Sequence, residues 1–592
     1  MRSIFTIGAA LIMFVSSIST VNAQSQRKGN VTKVRISTNA VPILGGELSN
    51  SAVSCLADID SVIPKMVQYG LNTVLVPVYW DLMEPKEGQF DFALVDRTIH
   101  QARQNQLKVV FLWFGVWKNS MSCYAPLWFK QDVKRFPRAC TADGKPLEIA
   151  CCFSESVLQA DNRAFDAFVR HVVERGSDVV SMIQVENEIG MLEAARDHSR
   201  LADDVYHKGV PKELLTYLRQ NQKSLHPWLA SRIQVSQLSS RNPSWQELFG
   251  NDIFADEIFM AYYYARYVGR LCRTARQYTQ MPLYVNAAMN SRGRLPGQYP
   301  SAGPLAHLID LWRAGAPELL LLAPDIYDTG FKGWAEQYAL PGNPLFIPET
   351  RCCQNSGVRA LYAFGEHHAI GFSPFAIDQS SHQDVENLTK AYNLIRQIYY
   401  LKPDSDRNGV HATANDVMVA SRFTLPSSLK TWGVLFDRQD KERIINDGSN
   451  VLTCRHYFTL PWDSRATDGS EWPEGGAVIV KLSKDEYLLA GSGVVVSFAT
   501  AYEKAYAEET VLGEDGFVAN GVAAPASAQP SRPFQGKRLG IGFVDEVNID
   551  DKGHIRYVRR ENGDQDHQGR HARIACGAWK ILHVKLYEYG PQ

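Results

Sequence analysis

The chain has 592 residues, of which 45% are hydrophobic and 21% charged, and its formal net charge is -1. This length predicts two or more domains, and the composition is that of an ordinary globular protein. A near-neutral chain without a long basic run gives no electrostatic support for a nucleic-acid partner.

The first 23 residues have the pattern of a secretory signal peptide. Arg2 supplies a short positive segment, residues 4–18 are apolar, and small residues precede Gln24. The alternative is a membrane anchor, but the apolar stretch is short for a hydrocarbon layer about 30 Å thick. We therefore predict export to the periplasm or the medium, cleavage before Gln24, and no membrane insertion.

Eight short apolar segments alternate with helical patterns between about residues 41 and 401. The predicted strands are 42–48, 73–80, 108–115, 179–188, 282–288, 319–327, 344–350 and 370–378. The predicted helices include 94–105, 163–175, 256–279 and 385–399. Strand–helix repetition with apolar strands predicts a parallel sheet, and eight units favour an α/β fold closed as a (β/α)8 TIM barrel over residues 24–405.

The alternative fold for this region is an open, doubly wound sheet. That fold would place a phosphate-binding G-x-G-x-x-G turn after the first strand, and "GGELSNS" does not match it. In the barrel, the long segments after the third and fourth predicted strands are insertions on one face.

After Leu401 helical periodicity fades and alternating strands appear, which predicts a C-terminal β-sandwich domain over residues 406–592. The predicted strands are 416–425, 431–437, 476–482, 486–500, 554–560 and 579–589. Residues 519–533 are rich in Pro, Ala and Ser and indicate a loop or linker. The sequence leaves open whether this domain binds polysaccharide or braces the barrel.

The ten cysteines are expected to form disulfides, because disulfides persist in exported proteins. A zinc site would need paired ligand sets at C-x-x-C spacing, which the sequence lacks. One candidate bridge runs from Cys352 or Cys353 to the adjacent pair Cys151 and Cys152.

Acidic residues follow the predicted strands, at the end of a barrel that carries active sites. The strand within "VVSMIQVENEIG" ends on two carboxylates, although burying an unpaired carboxylate costs several kcal/mol. The acids at strand ends are Glu47, Glu84, Glu186, Glu188, Asp325, Glu349 and Asp378. Without a histidine at a strand end or a metal-ligand motif, this pattern predicts paired-carboxylate chemistry with no metal and no organic cofactor. Glycosidic hydrolysis is the leading case.

Two of these segments resemble known catalytic motifs. "VENEIG" and "FIPET" are similar to the strand-four and strand-seven motifs of (β/α)8 retaining glycosidases, and more narrowly of the β-galactosidases of glycoside hydrolase family 35. Residues 79–92, 112–121, 323–327 and 371–378 add to the resemblance, which covers about residues 35–400. The C-terminal domain resembles a non-catalytic domain in a bacterial branch of that family.

The resemblance implies that Glu188 is the acid/base and Glu349 the nucleophile. Asn187 would bind the sugar 2-hydroxyl, and Tyr327 would hold the nucleophile. Further candidate sugar contacts are Tyr79, Trp113, Trp117 and Asn286. Glu186 is the rival acid, and we expect it to pair with an arginine.

The implied function is an exported retaining exo-glycosidase acting on terminal β-D-galactosyl residues of oligosaccharides or plant polysaccharide side chains. Val116 departs from the family pattern, in which many members place a galactose-binding acid before the tryptophan. The same mechanism on a β-arabinopyranoside, β-mannoside or β-glucoside is therefore an alternative. A non-catalytic carbohydrate-binding protein is the other.

Overall fold

The structure is a computed structural model that describes residues 42–401, 429–460, 463–510, 534–561 and 571–590. These residues all belong to one compact unit. The predicted signal peptide, the predicted strand 416–425 and the predicted linker 519–533 lie outside them. Within the described ranges, no helix has both the length and the apolar character that a membrane crossing requires.

A parallel sheet forms the barrel. Its strands are β1 Ile43–Glu47, β2 Thr73–Tyr79, β3 Lys108–Lys118, β6 Val180–Asn187, β7 Leu283–Ala288, β8 Leu321–Ile326, β9 Phe346–Ile347, β10 Glu349–Thr350 and β11 Gly371–Phe372, while β4 Arg138–Cys140 and β5 Pro146–Ala150 form an inserted hairpin. The strand order is β10-β8-β7-β6-β3-β2-β1-β11-β9.

The two edges of this sheet belong to a single stretch of chain. Pro348 separates β9 from β10, and a proline has no backbone N–H to contribute to a ladder. β9 pairs with β11 on one side, and β10 pairs with β8 on the other, both in parallel. The seventh predicted strand therefore closes the barrel, and the predicted (β/α)8 fold is confirmed.

Helices surround the barrel and fill its insertions. They are Leu56–Gln68, Trp80–Met83, Ala93–Gln104, Leu127–Gln131, Glu155–Gly176, Arg200–Tyr206, Lys212–Asn221, Pro227–Arg232, Trp245–Phe249, Ile253–Ala275, Ile309–Gly315, Phe331–Tyr338, Ser356–His367 and His382–Tyr400, with 3-10 turns at Val235–Ser239, Ala306–Leu308 and Ile377–Gln379. The four predicted helices are present. The helices between β6 and Ile253 form the insertion predicted after the fourth strand.

The barrel strands are buried on both faces, as in other parallel sheets covered by helices. Every residue of β2 and of β8 is buried, because one side of each strand faces the barrel interior and the other faces the helices. The last two residues of β6, Glu186 and Asn187, are polar. They follow an apolar stretch and are themselves buried. The interior of the barrel therefore ends in a polar site.

The C-terminal residues form two antiparallel sheets around a second apolar core. The strands are β12 Lys430–Phe436, β13 Glu442–Asn446, β14 Val451–His456, β15 Gly475–Lys481, β16 Glu486–Ser492, β17 Val494–Ala499, β18 Arg538–Ile549, β19 Ile555–Arg560, β20 His571–Ile574 and β21 Lys580–Tyr589. Their orders are β12-β15-β16-β21-β18-β19 and β13-β14-β17-β20. The predicted sandwich is confirmed.

Four of these strands were not predicted from the sequence: β13, β14, β18 and β20. The predicted strand 486–500 divides into β16 and β17 at Gly493, whose φ of 73° lies in the left-handed region. Short helical segments also occur at Tyr457–Thr459, Ser464–Ala466 and Ala501–Thr510.

The sandwich packs directly on the Ser356–His367 helix, which follows β10. A Cβ on Gly365 would lie 3.0 Å from the Cα of Gly433 in β12, so the helix and strand backbones touch. Arg359 on the helix also forms a half-buried ion pair with Glu474 at 2.6 Å. The C-terminal domain thus braces the helix next to the strand that carries Glu349.

Candidate active site

Four buried carboxyl groups meet where the barrel strands end. Glu47 ends β1, Glu188 follows β6, Asp325 lies in β8 and Glu349 begins β10, and none is more than 6% exposed. Glu188, Asp325 and Glu349 each place a carboxylate oxygen within 4.8 Å of the other two. A separation of ~5–5.5 Å between two carboxyls is that of a retaining glycosidase. Three oxygens this close are also able to ligate a divalent cation.

The backbone around Glu188 is unusual. Glu186 and Glu188 have φ values of 61° and 48°, and Asn119 and Ser120, in the turn after β3, have 50° and 63°. Residues with side chains seldom adopt this region, at a cost of about 1–3 kcal/mol each. The Ser120 N–H donates to the Glu188 carbonyl oxygen at 3.1 Å, and its hydroxyl does so at 3.2 Å. The two strained segments therefore hold each other.

Asn286 on β7 bonds to both Glu188 and Asp325. Its Oδ1 accepts from the Glu188 N–H at 3.0 Å, and its Nδ2 donates to Asp325 Oδ2 at 2.7 Å. Both polar atoms are therefore engaged within the protein, which gives Asn286 a positioning role in place of the predicted sugar contact.

Tyr327 orients Glu349, as the sequence predicts. Its hydroxyl donates to Glu349 Oε1 at 2.5 Å, while Glu349 Oε2 is buried and accepts no hydrogen bond from any residue that the structure describes. Burial and the nearby Glu349 charge raise the pKa of Tyr327, so the phenol stays a donor. One oxygen of Glu349 is held and the other is left for a ligand.

Burial and mutual repulsion set the protonation of the carboxyl cluster. Burial, followed by the Glu349 charge, raises the pKa of Glu188 to about 7. The same two causes raise the pKa values of Asp325 and Glu47 well above their usual range. Glu188 is thus able to carry a proton near neutral pH beside a second carboxylate, which is the arrangement that a general acid requires.

Glu186 has no arginine partner among the residues that the structure describes, so that prediction is wrong for this part of the chain. It accepts from the Trp117 N–H at 2.7 Å and lies beside Asp161 on the Glu155–Gly176 helix, away from the barrel mouth. Burial, and then the Asp161 charge, raises the pKa of Glu186 well above its usual range. Gly115 makes the pairing possible, because a Cβ there would lie 2.9 Å from an oxygen of each.

The predicted aromatic sugar contacts are core side chains. Trp113 donates its indole N–H to Asp161 at 3.1 Å, on the helix side of the barrel. Trp117 and Tyr79 pack against tyrosine rings, with centroids 4.8 Å from Tyr267 and 5.5 Å from Tyr124, respectively. All three rings are buried, and the indole N–H of Trp117 has no hydrogen-bond partner among the described residues.

Two of the remaining acids have structural partners. Glu84 accepts from Arg163 at 2.7 Å, and Asp378 accepts from the Ser49 hydroxyl at 2.8 Å. Neither belongs to the carboxyl cluster, and Glu84 also accepts from the Gly88 N–H at 2.6 Å, which holds the loop between them.

Asn187 and Lys118 complete the site. Both polar side-chain atoms of Asn187 are buried and have no hydrogen-bond partner within the described ranges, as expected of a group that binds a ligand. Lys118 ends β3 opposite Asn187, and its charge lowers the pKa of Glu47 and of Glu188. Lys118 was not predicted as a site residue, although it ends the apolar strand β3.

The predicted disulfides are not formed. All ten cysteines are free thiols in the structure. A bridge from Cys352 or Cys353 to Cys151 or Cys152 is wrong because the pairs contact different elements. Cys151 Sγ lies 3.4 Å from Ser199 Oγ, whereas Cys353 lies at the start of the helix that follows β10.

A barrel whose strand ends carry two carboxyl groups at this separation has features that retaining glycoside hydrolases share. The family 42 glycoside hydrolase model, described as beta-galactosidase, matches residues 56–250, which include Glu188. The matching model is that of family 42, so the narrower resemblance to family 35 is not supported. A model for a domain of unknown function, DUF5597, matches residues 424–573 in the sandwich. No curated protein matches the sequence.

Solved structures of beta-galactosidases are similar to the chain at low identity. Those from Rahnella sp. R3, Halorubrum lacusprofundi and Bacillus circulans sp. alkalophilus are 15%, 15% and 13% identical, with TM-scores of 0.43, 0.39 and 0.41. The matches cover 62%, 60% and 61% of this chain. The chain spans 59%, 58% and 57% of those proteins.

Proposed function

We propose that the protein is a retaining exo-glycosidase that removes terminal β-D-galactosyl residues from oligosaccharides or plant polysaccharide side chains. The observation that carries the proposal is the placement of Glu188 and Glu349. Their carboxylate oxygens lie within 4.8 Å of each other at the carboxyl end of the barrel. One of the pair is anchored by Tyr327, and the pKa of the other is raised.

In the first step, Glu349 attacks the anomeric carbon through its unpartnered oxygen while Glu188 donates its proton to the leaving oxygen. Glu349 loses its charge when the glycosyl ester forms, so the pKa of Glu188 falls. Glu188 then takes a proton from water, and the water displaces the sugar from Glu349. Asn187 binds the 2-hydroxyl, and Tyr327 holds Glu349 through both steps.

Galactose is supported by the description of the matching family model. Exo action is supported by the burial of the carboxyls: Glu188 and Glu349 are 6% and 5% exposed, which favours a pocket entered by a chain end over an open cleft. A panel of nitrophenyl glycosides tests the sugar. Fastest release from the β-galactoside is expected, and a faster β-arabinopyranoside, β-mannoside or β-glucoside would replace galactose without changing the mechanism.

Variants of the two glutamates test their roles. Glu349→Gln should abolish turnover, whereas Glu188→Ala should slow it and be partly rescued by azide, with a β-glycosyl azide as product, because azide needs no general base. Glu386→Gln, on the exposed face of the His382–Tyr400 helix, is the matched control and should keep full activity. Full activity in either site variant would remove the proposal.

Export is a further part of the proposal and rests on the pattern of residues 1–23. Expression of the full chain in a Gram-negative host should give a periplasmic or secreted protein whose first residue is Gln24. An intact N-terminus on cytosolic protein would exclude it.

A further inference from the structure

Lys118 is a buried cation without an ion-pair partner. Its side chain is 4% exposed, and no carboxylate oxygen lies within 4.0 Å of its Nζ in the described part of the chain. Its Nζ lies 5.0 Å from the centroid of the Phe114 ring, a contact that stabilises a cation weakly. Taking an ammonium out of water costs several kcal/mol unless donors find acceptors. A ligand that offers acceptors to this ammonium would offset that cost.

Glu47 is the buried carboxyl group that corresponds to the Lys118 ammonium. It is 1% exposed, and neither of its carboxyl oxygens accepts a hydrogen bond from a described residue, although its carboxyl lies next to that of Glu349. Lys118 and Glu47 interact through their charges, yet they lie too far apart for an ion pair. A buried donor at the end of β3 and a buried acceptor at the end of β1 therefore do not bond to each other.

The strand order shows on which side of the site Lys118 and Glu47 lie. β6 carries Glu188, and β10 carries Glu349. On one path around the barrel between them lie β7 and β8, where Asn286 and Asp325 bond to each other, while the Tyr284 hydroxyl and Asp325 Oδ1 have no hydrogen-bond partner among the described residues. On the other path lie β3, β2, β1 and β11, where both carboxyl oxygens of Glu47 lack a hydrogen-bond partner among the described residues and Lys118 has no ion-pair partner among them. A sugar held between the two glutamates therefore meets unfilled hydrogen-bonding groups on the β1–β3 side.

We propose that Lys118 and Glu47 form a hydroxyl-binding pair that selects the sugar, with the Lys118 ammonium donating to one ring hydroxyl and Glu47 accepting from another. The inference rests on the proposed glycosidase function and deepens it. Four carboxyl groups and one cation make the site acidic, and an acidic site repels a sugar that carries a carboxylate. The ligand is therefore a neutral sugar and not a uronic acid. The backbone supports the assignment: the Lys118 N–H donates to the Met121 carbonyl at 2.8 Å, which fixes the turn that also holds Glu188.

The test combines Lys118→Met with substrates that lack single hydroxyls. Nitrophenyl β-galactoside and its 3-deoxy, 4-deoxy and 6-deoxy analogues are compared in the wild type and in the variant. Lys118→Met should lower kcat/KM on the parent about 10- to 100-fold, the range for losing a charge-assisted hydrogen bond. The deoxy penalty is the ratio of kcat/KM on the parent substrate to kcat/KM on the deoxy analogue. For at least one analogue, this ratio should be at least tenfold smaller in Lys118→Met than in the wild type.

Two further readouts separate ligand binding from a structural role. Removing an unpartnered buried charge should leave Tm unchanged or higher, whereas a structural lysine would lower it. Lys108→Met changes the lysine at the opposite end of β3, where it donates to the Asp178 carbonyl at 2.7 Å, and should keep wild-type kinetics. Glu47→Gln provides a second variant, for which we expect a loss of about tenfold or more on the parent substrate.

The outcomes of this test are distinct. If the wild type cleaves the parent galactoside but all three deoxy penalties are the same in Lys118→Met, the hydroxyl-binding pair is refuted and the proposed function stands. If the wild type cleaves no glycoside in the panel, both fall together. A smaller penalty in Lys118→Met with unchanged Tm supports the pair.

Discussion

The charge of Glu349 should control the proton on Glu188, and Glu349→Gln measures this directly. Unit charges 4.8 Å apart interact by about 3.5 kcal/mol at an effective dielectric constant of about 20. That energy corresponds to about 2.5 pKa units. Each charge is spread over two oxygens, which lengthens the effective separation. We therefore expect the pKa of Glu188 to fall by about one to two units from its value of about 7.

The assay is a carbon-13 NMR titration of protein labelled at the glutamate carboxyl carbons. The Glu188 signal is assigned by its loss in Glu188→Gln and is followed from pH 4 to about pH 9 in both backgrounds. Glu386→Gln is the control, and it should leave the titration unchanged because its carboxyl is on the surface. An unchanged Glu188 midpoint in Glu349→Gln would refute the claim that the two glutamates form one electrostatic unit.

Four further outcomes are expected. The value of kcat/KM should fall as pH rises through about 7, because Glu188 must be protonated to act as an acid. In Lys118→Met this fall should occur at higher pH, because the variant lacks a positive charge that lowers the pKa of Glu188. Asn286→Ala should lower kcat about 10- to 100-fold with little change in KM, since it frees the Glu188 backbone, and steady-state kinetics on the best substrate will show it. Glu186→Gln should keep at least about half of the activity, since it mimics a protonated carboxyl, while Glu188→Gln loses nearly all of it; equal losses would contradict the assignment. Arg359→Met should destabilise the protein by about 2 kcal/mol in urea unfolding without changing kcat, because it leaves the partly buried Glu474 unpaired.

Much of the barrel can be predicted from the sequence because its strands are apolar on both faces and its helices have a clear period. The fourth predicted strand, 179–188, matches β6 Val180–Asn187 almost residue for residue. The sandwich is harder to predict, since a strand such as β13 Glu442–Asn446 has one exposed face and little apolar content. Its hairpin is visible in the sequence chiefly through the turn at "NDGSN", where Gly448 has a φ of 88°.

The site was predictable in part. Glu188, Glu349, Asn187 and Tyr327 lie at strand ends, and the geometry brings them together. The roles of Trp113 and Asn286 were not predictable, because a strand-end residue can face the barrel interior or the helix layer. A bulge of one residue, or a local twist, changes the face to which the side chain points. In β3 the pairing register with β6 shifts between Trp113 and Lys118, so a simple alternation of faces fails there.

The register shift in β3 also explains why Lys118 was missed. A period-two pattern does not carry across an irregular strand end, so the sequence gives no reason to turn Lys118 inward. The paired left-handed residues Asn119 and Ser120 are likewise invisible in the sequence, since neither is a glycine. Such positions become evident when the turn is seen bonded to the Glu188 carbonyl.

Trapping of the glycosyl-enzyme is the most direct test of a nucleophilic Glu349. The wild type is incubated with a 2-deoxy-2-fluoro-β-glycosyl fluoride of its preferred sugar, which forms the ester readily and hydrolyses it slowly, and the digested protein is sequenced by mass spectrometry. The label should be found on the peptide that contains "FIPET", at Glu349. A label on Glu188, Glu47 or Asp325, or inactivation without any covalent adduct, would contradict the account.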